Sequence, residues 1–282
     1  MLKPAPAPAP PRAHAALATL LERHTGQQLS AARNWRIETA LKPLMRDEGW
    51  ETLDDVVTAL TSRDPVLVDR IVGELVNKES SFFRDAPVFG AIEEAIVALA
   101  ADHPGRRPRI WSAGCSHGQE PLSLAMIFAE RAAGDGGIAP DILATDISHT
   151  ALARARQGRF TQFEIQRGLP VRRMVRWFTG DGDDWVAAPD LLRHIQFRPL
   201  NLVSDPMPAG RFDMILCRNV LLYFPLDVRR RVLDLLALVL RPGGLLVLGA
   251  GETVIGQTDL FQPSPRYRGF YEPVAPGVRA VA

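Results

Sequence analysis

Cysteine is scarce in this chain. Cys115 and Cys217 are the two among 282 residues, too few for a disulfide framework. They read as reduced thiols in a reducing compartment. Lying about a hundred positions apart among scattered histidines, they have no metal-ligand spacing, so no metal is expected. An excess of either charge is also missing: 33 basic against 32 acidic residues give a net charge of +1. That lacks the strongly basic balance of many nucleic-acid binders, and no nucleic-acid partner is expected. No apolar run is long enough to span a bilayer. The longest, VLDLLALVLRPGGLLVLGAG, is broken by Asp234 and by Arg241-Pro242-Gly243-Gly244. The opening MLKPAPAPAPPR has no apolar segment of an export signal. The expected protein is cytoplasmic, not embedded in a membrane, and monomeric by default.

What is present is core-forming material, 46% hydrophobic residues, in three differently patterned stretches. Residues 1–11 alternate proline and alanine and are expected to form a disordered tail. Residues 12–77 form the second stretch, where apolar positions recur at helical spacing, with start signals at Thr52-Leu53-Asp54-Asp55 and Asp64-Pro65. A small helical domain is expected there, including a helix near Asn34 to Met45 bent at Pro43. Residues 78–282 hold the third pattern, clearest beyond residue 105. The short apolar runs RIWSAG, DILATD, IQFRPL, FDMILC and LLVLGA alternate with helical segments. This predicts an α/β fold with a parallel sheet covered on both faces. A stretch at about 160–195, with a Gly180-Asp181-Gly182 turn beside Trp185, predicts an inserted β-hairpin. FQPSPRYRGFYEP predicts a terminal hairpin. No internal repeat is visible.

Polar groups gather where the predicted strands end. The first strand runs through Gly114 and Gly118 into a helix, and glycine there allows close backbone approach to a ligand. The spacing is neither that of a dinucleotide fingerprint nor a P-loop, and a ligand-free tight turn is an equal reading. Glu120 opens the next helix, favouring its dipole or binding a cationic ligand group. Asp146, ending the second strand, suits ribose hydroxyls or an N-cap for the helix near Ser148. Nicotinamide and other adenosine ligands both remain open at this point. Asn219 and Tyr223 share one cleft if the segment after FDMILC turns helical, although a partly buried structural tyrosine is the plainer reading. Phe82 and Phe83 read as core anchors, and Arg84 with Asp85 as a surface pair.

The segments ESSFFRD, IWSAGCSHGQEPLSLAM, ILATDIS, FRPLNL, FDMILCRNVLLYF and LRPGGLLVLGAGE, in that order, resemble the CheR methyltransferase family from about residue 15 to 272. The resemblance implies a Rossmann-like S-adenosylmethionine methyltransferase domain, a helical N-terminal domain and a small inserted antiparallel β-subdomain. It implies transfer of methyl groups to glutamates of chemoreceptor cytoplasmic domains, with S-adenosylhomocysteine as product. By matching position, Arg84 and Tyr223 are the implied catalytic residues. Lys78, Ser80, Arg84, Gly114, Glu120, Asp146, Asn201, Leu202, Cys217, Arg218 and Asn219 are the implied cofactor contacts. The sequence departs from the family where Lys78 replaces a frequent asparagine and where Cys115-Ser116-His117 replaces smaller residues. It departs again in the short TGDGDDW turn, which puts in doubt the grip on a receptor's C-terminal peptide known for some members.

A glutamate acceptor, with a reference pKa of about 4.3, is already ionised near neutrality. Such a reaction needs no general base, and no Ser-His-Asp or Cys-His arrangement is evident. Arginines 154, 156, 159, 167, 172, 173 and 176, set against Glu164, suggest a basic face for glutamate-rich helices; a solvated arginine-rich surface is the alternative. A methyltransferase of the same fold acting on a small molecule or another protein and a non-enzymatic scaffold are the rival functions, with a nucleic-acid methyltransferase a distant third.

Overall fold

The computed structural model describes residues 12–29, 35–135, 137 and 139–274. The tail at 1–11, Arg33, Asn34 and the last eight residues lie outside the described set. The chain divides into two compact units between Asn77 and Lys78.

In the first unit, helices α1 (Arg12–Thr25), α2 (Trp35–Glu48), α3 (Leu53–Ala59) and α4 (Pro65–Leu75) bury one stripe each. Leu17, Leu21, Ile37, Leu41, Val56 and Ile71 form its centre. Thr52 caps α3 in a capping box with Asp55, and Asp64 caps α4 with Pro65 in the first turn. Both starts follow from their residues: a side-chain oxygen accepts a backbone N–H that the helix leaves unpaired. The helical assignment of α2 continues through Pro43 to Glu48.

The second unit opens with α5 (Ala86–Ala101), a helix that the alternating pattern does not announce. Strands β1 (Arg109–Ala113), β2 (Asp141–Asp146), β6 (Ile195–Pro199), β7 (Phe212–Cys217) and β8 (Leu240–Leu248) run parallel. They are joined by the antiparallel pair β9 (Phe261–Pro263) and β10 (Phe270–Pro273) in the order β6-β2-β1-β7-β8-β10-β9. Successive strand residues face opposite sides. Ile110, Met214, Leu216 and Val247 pack with α5 and α6 (Gln119–Asp135) on one face. Trp111, Ile215, Cys217 and Leu246 pack with α11 (Leu226–Val239) on the other. The strand sequence therefore reads as continuous apolar runs because both faces are covered.

Between α7 (His149–Gln157) and β6 the chain builds a three-stranded antiparallel sheet, ordered β3-β5-β4. Its strands are β3 (Arg159–Thr161), β4 (Phe178–Asp181) and β5 (Asp184–Ala187). Short helices α8 (Gln162–Gln166), α9 (Val171–Trp177) and α10 (Pro189–Leu192) complete this part. The β4–β5 pair is the hairpin expected at Gly180-Asp181-Gly182, and β3 is an additional strand.

The sheet is tied at its amino end as well. Asp213 accepts both Arg106 Nη hydrogens at 2.6 and 2.7 Å and the Arg109 N–H at 2.8 Å, with Arg241 Nε at 3.4 Å. Burial raises this carboxyl, but the Arg106 and Arg109 hydrogen bonds outweigh it and hold it below the usual carboxylate range.

Candidate functional site

At the carboxyl end of the sheet, chain order reverses on either side of β1: β2 and β6 lie one way, β7 and β8 the other. Open α/β sheets bind ligands at such a point, and five strand ends deliver polar groups there.

After β1, Gly114 adopts φ +81°, where a Cβ would collide with the Val220 side chain. Only glycine lets the two segments approach this closely. Gly114 and Cys115 both donate backbone N–H groups to Thr145 O, at 2.8 and 2.9 Å. Ser116, itself at φ +51°, donates its N–H to Asp146 Oδ2 at 2.8 Å and its hydroxyl to Lys78 O at 2.7 Å. Asp146 Oδ1 accepts from Ser148 N at 2.8 Å. Asp146 is therefore not the N-cap of α7; Ser148 is, through Ala151 N. Burial raises the Asp146 carboxyl above its ordinary value, against two backbone N–H bonds and the nearby Lys78 charge.

Glu120, in the first turn of α6, accepts the Ser112 hydroxyl at 2.8 Å and Arg218 Nη1 at 3.0 Å. Arg218 follows β7 with its side chain 2% exposed. Its other terminal nitrogen donates to Arg84 O at 2.9 Å and to Asp85 Oδ2 at 2.7 Å. The expected Arg84–Asp85 surface pair is thus replaced: Asp85 pairs with Arg218, reaching across from the strand end. Charge-assisted bonds of this kind are strong where water is excluded.

Arg84 and Ser80 are half-buried on a tightly bent segment. Phe83 and Asp85 have φ +48° and +61°, conformations that the surroundings must enforce. Phe83 N donates to Ser123 Oγ at 3.1 Å, Phe82 N donates to Arg167 O at 3.2 Å, and Arg173 lies 4.5 Å above the Phe83 ring. Phe82 packs edge-on against Phe160 and Phe178 of the inserted sheet.

After β7, Asn219 takes φ +60°. Glu252 receives its N–H at 2.7 Å, with those of Gly249 at 2.8 Å and Leu222 at 3.1 Å. The chain then makes one 3-10 turn, Leu221–Tyr223, rather than the α-helical turn needed to stack Tyr223 over Asn219. Tyr223 is half-buried. After β6, Asn201 closes a turn by accepting Val203 N at 3.0 Å, and Leu202 is buried. Among the five described non-glycine residues with positive φ, Phe83, Asp85, Ser116 and Asn219 fall on these segments. Concentrated strain of this kind accompanies functional sites.

Cys115 and Cys217 are buried here, and burial, with nearby carboxylates adding, pushes both thiols well up. They remain neutral and are poor nucleophiles. Sequence reasoning passed over Gln119 and Glu252, and met Ser116 only as a departure from the family pattern. Gln119 is 1% exposed, and its Oε1 has no hydrogen-bond partner. All three stand inside the quoted motifs, but their spacing carries no signal until the strand ends converge. Four of the seven arginines of the expected basic face pair with carboxylates: Arg154 with Glu164, Arg159 with Asp181 and Asp184, Arg167 with Glu79, and Arg173 with Glu130.

A parallel sheet flanked by helices, with a glycine turn after its first strand and an acid after its second, defines a nucleoside-binding edge. The family match at residues 78–270, to a methyltransferase SAM binding domain, selects among the possible nucleoside ligands, and the class is the S-adenosylmethionine-dependent methyltransferases. The residues present fit that cofactor: Asp146 and Glu120 offer acceptors for hydroxyl and ammonium groups, Gly114 keeps the backbone bare, and Gln119 Oε1 awaits a donor. Residues 78–270 match the family model described as CheR methyltransferase, SAM binding domain. Chemotaxis protein methyltransferase 1 of Pseudomonas aeruginosa is 34% identical over 247 residues, covering 86% of this chain and 90% of that protein. The chemotaxis protein methyltransferase of Vibrio anguillarum is 36% identical over 247 residues, covering 86% and 89%. This chain belongs to the CheR methyltransferase family.

Proposed function

We propose that this enzyme methylates glutamate side chains on the cytoplasmic domains of chemoreceptors, giving glutamate methyl esters. The observation that carries the reading is the pinned Arg84 turn. A guanidinium sits on a strained segment whose backbone is held from two sides by Arg218 and Ser123, beside the edge that fits the cofactor. Bound S-adenosylmethionine supplies an electrophilic methyl group on its sulfonium. Arg84 orients an ionised carboxylate by charge-assisted hydrogen bonds, and Tyr223 donates a further one. Holding the acceptor in line is worth several kcal/mol, roughly 7–11 at the upper limit for ideal alignment.

In this reading Asp146 serves the ribose hydroxyls, Glu120 the ammonium, and Asn201 with Leu202 the adenine side. Gly114, Lys78, Ser80 and the Cys217-Arg218-Asn219 strand end shape the pocket. Arg218 acts through Glu120 and the Arg84 turn, because its guanidinium is already bonded to both. The relatives' printed names support a chemotaxis protein as acceptor.

The test pairs calorimetric titration by S-adenosylhomocysteine with transfer of labelled methyl to a purified receptor cytoplasmic domain. The expected outcome is micromolar or tighter binding, lost in Asp146→Ala, and alkali-labile label on receptor glutamates. Arg84→Ala should lose transfer by at least a hundredfold while retaining most of its product affinity. No product binding by the folded parent would overturn the reading and favour a scaffold.

A further inference from the structure

We propose that an exposed apolar and cationic patch beside Tyr223 docks the substrate, and that its partner is one face of an acidic amphipathic helix. The inference rests on the reading above and deepens it. Leu222, Leu226 and Ile255 are 37%, 55% and 68% exposed, and large apolar side chains left this open together mark interaction surfaces.

Their grouping follows from the bonds around them. Leu222 shares its 3-10 turn with Tyr223 and donates its N–H to Glu252 at 3.1 Å. Leu226 begins α11 four residues later. Arg230, one helical turn beyond Leu226, about 6 Å along the axis, donates from Nε to Gln257 O at 2.9 Å. That bond draws α11 against the turn at 254–258, which carries Ile255 and is closed by Gln257 N and Thr258 N on Val254 O. The three apolar side chains thus flank one junction, at the end of the segment that presents Asn219 and Tyr223.

Charge selects the partner. Arg229 and Arg230 each anchor Nε on a backbone carbonyl, Phe224 O and Gln257 O. Among the described residues neither has a carboxylate within ion-pair distance, unlike four of the arginines at 154–176. Guanidinium groups fixed by backbone carbonyls and without an ion-pair partner among the described residues, beside exposed leucine and isoleucine, complement a helix with apolar residues at i and i+3 or i+4 and glutamates alongside. Such a helix, laid over Leu222, Leu226 and Ile255, would bring a neighbouring glutamate to the edge beside Tyr223.

The experiment measures steady-state methylation of the receptor domain by the full-length parent, Leu226→Asp, Ile255→Asp and Arg230→Glu, with S-adenosylhomocysteine titrations of each. Expected are a tenfold or greater rise in KM for receptor, kcat within twofold, and unchanged product affinity, which also reports folding. Arg230→Glu should show a weaker salt dependence of KM than the parent. An active parent whose variants keep its KM sinks this surface alone. A parent that binds S-adenosylhomocysteine but transfers nothing to receptor sinks the substrate assignment and this surface with it.

Discussion

Arg218 is the side chain on which this site converges. It is buried at the end of β7 and joins three groups from two other stretches: Glu120 on α6, and the Arg84 carbonyl and Asp85 carboxylate on the turn before α5. Its Nε has no hydrogen-bond partner, so the terminal nitrogens carry the whole attachment. Removing one partner of a buried ion pair costs about 3–5 kcal/mol. Arg218→Ala should fall at the low end, about 3 kcal/mol, because Asp85 is partly exposed and regains water. Urea unfolding checks the figure. Arg218→Lys should recover only part of it, since one ammonium lacks the planar fork that reaches all three acceptors.

Among the elements, the sheet separates stability from chemistry by its two ends. The carboxyl end carries the strained turns and the half-buried Asp146. The amino end carries Asp213, hydrogen-bonded by Arg106 and the Arg109 N–H, with the Arg241 charge at 3.4 Å. Because the Asp213 carboxyl is held below its usual range in the fold, its stabilisation is complete above its unfolded value of about 3.9. It is lost as pH falls through the lowered folded value. The urea midpoint of the parent should therefore drop more steeply below about pH 4 than that of Asp213→Asn. The variant should already be weaker at neutral pH, and equal slopes would remove Asp213 from the acid limb.

Across the second compact unit, the inserted sheet is built into the support of the Arg84 turn. Phe82 enters its core against Phe160 and Phe178, Arg167 O receives the Phe82 N–H, and Arg173 spans Phe83 and Glu130. Trp177 adds a bond to the same Glu130 carboxylate at 3.0 Å. Phe82→Leu, a moderate change of shape in a packed core, should cost about 1–1.5 kcal/mol. If the subdomain steadies Arg84, kcat should fall several-fold while S-adenosylhomocysteine affinity holds. A melting curve with matched kinetics separates the two effects, and a lost melting temperature with unchanged kcat would confine Phe82 to packing.

Periodicity and turn chemistry are local, so much of this architecture was legible before any contact was known. Capped α3 and α4 follow from Thr52 and Asp64, and the buried parallel strands follow from unbroken apolar runs. The β4–β5 hairpin follows from its glycines. The edge residues Gly114, Glu120 and Asp146 were legible as strand-end groups. The resemblance to a methyltransferase family added Arg84, Tyr223 and the cofactor. Other features depended on which distant segments meet. Helix α5 has apolar residues on most sides, so its pattern carried little helical contrast. Arg218 turned from a strand-end residue into a three-way clamp, and Asp85 changed partner from its neighbour Arg84 to a residue more than a hundred positions away. Most of the arginines at 154–176 found carboxylates that sequence spacing could not assign. An isolated chain specifies its backbone preferences and which side chains must leave water. Only tertiary packing decides which charges neutralise one another and which, like Arg230, remain available to a partner.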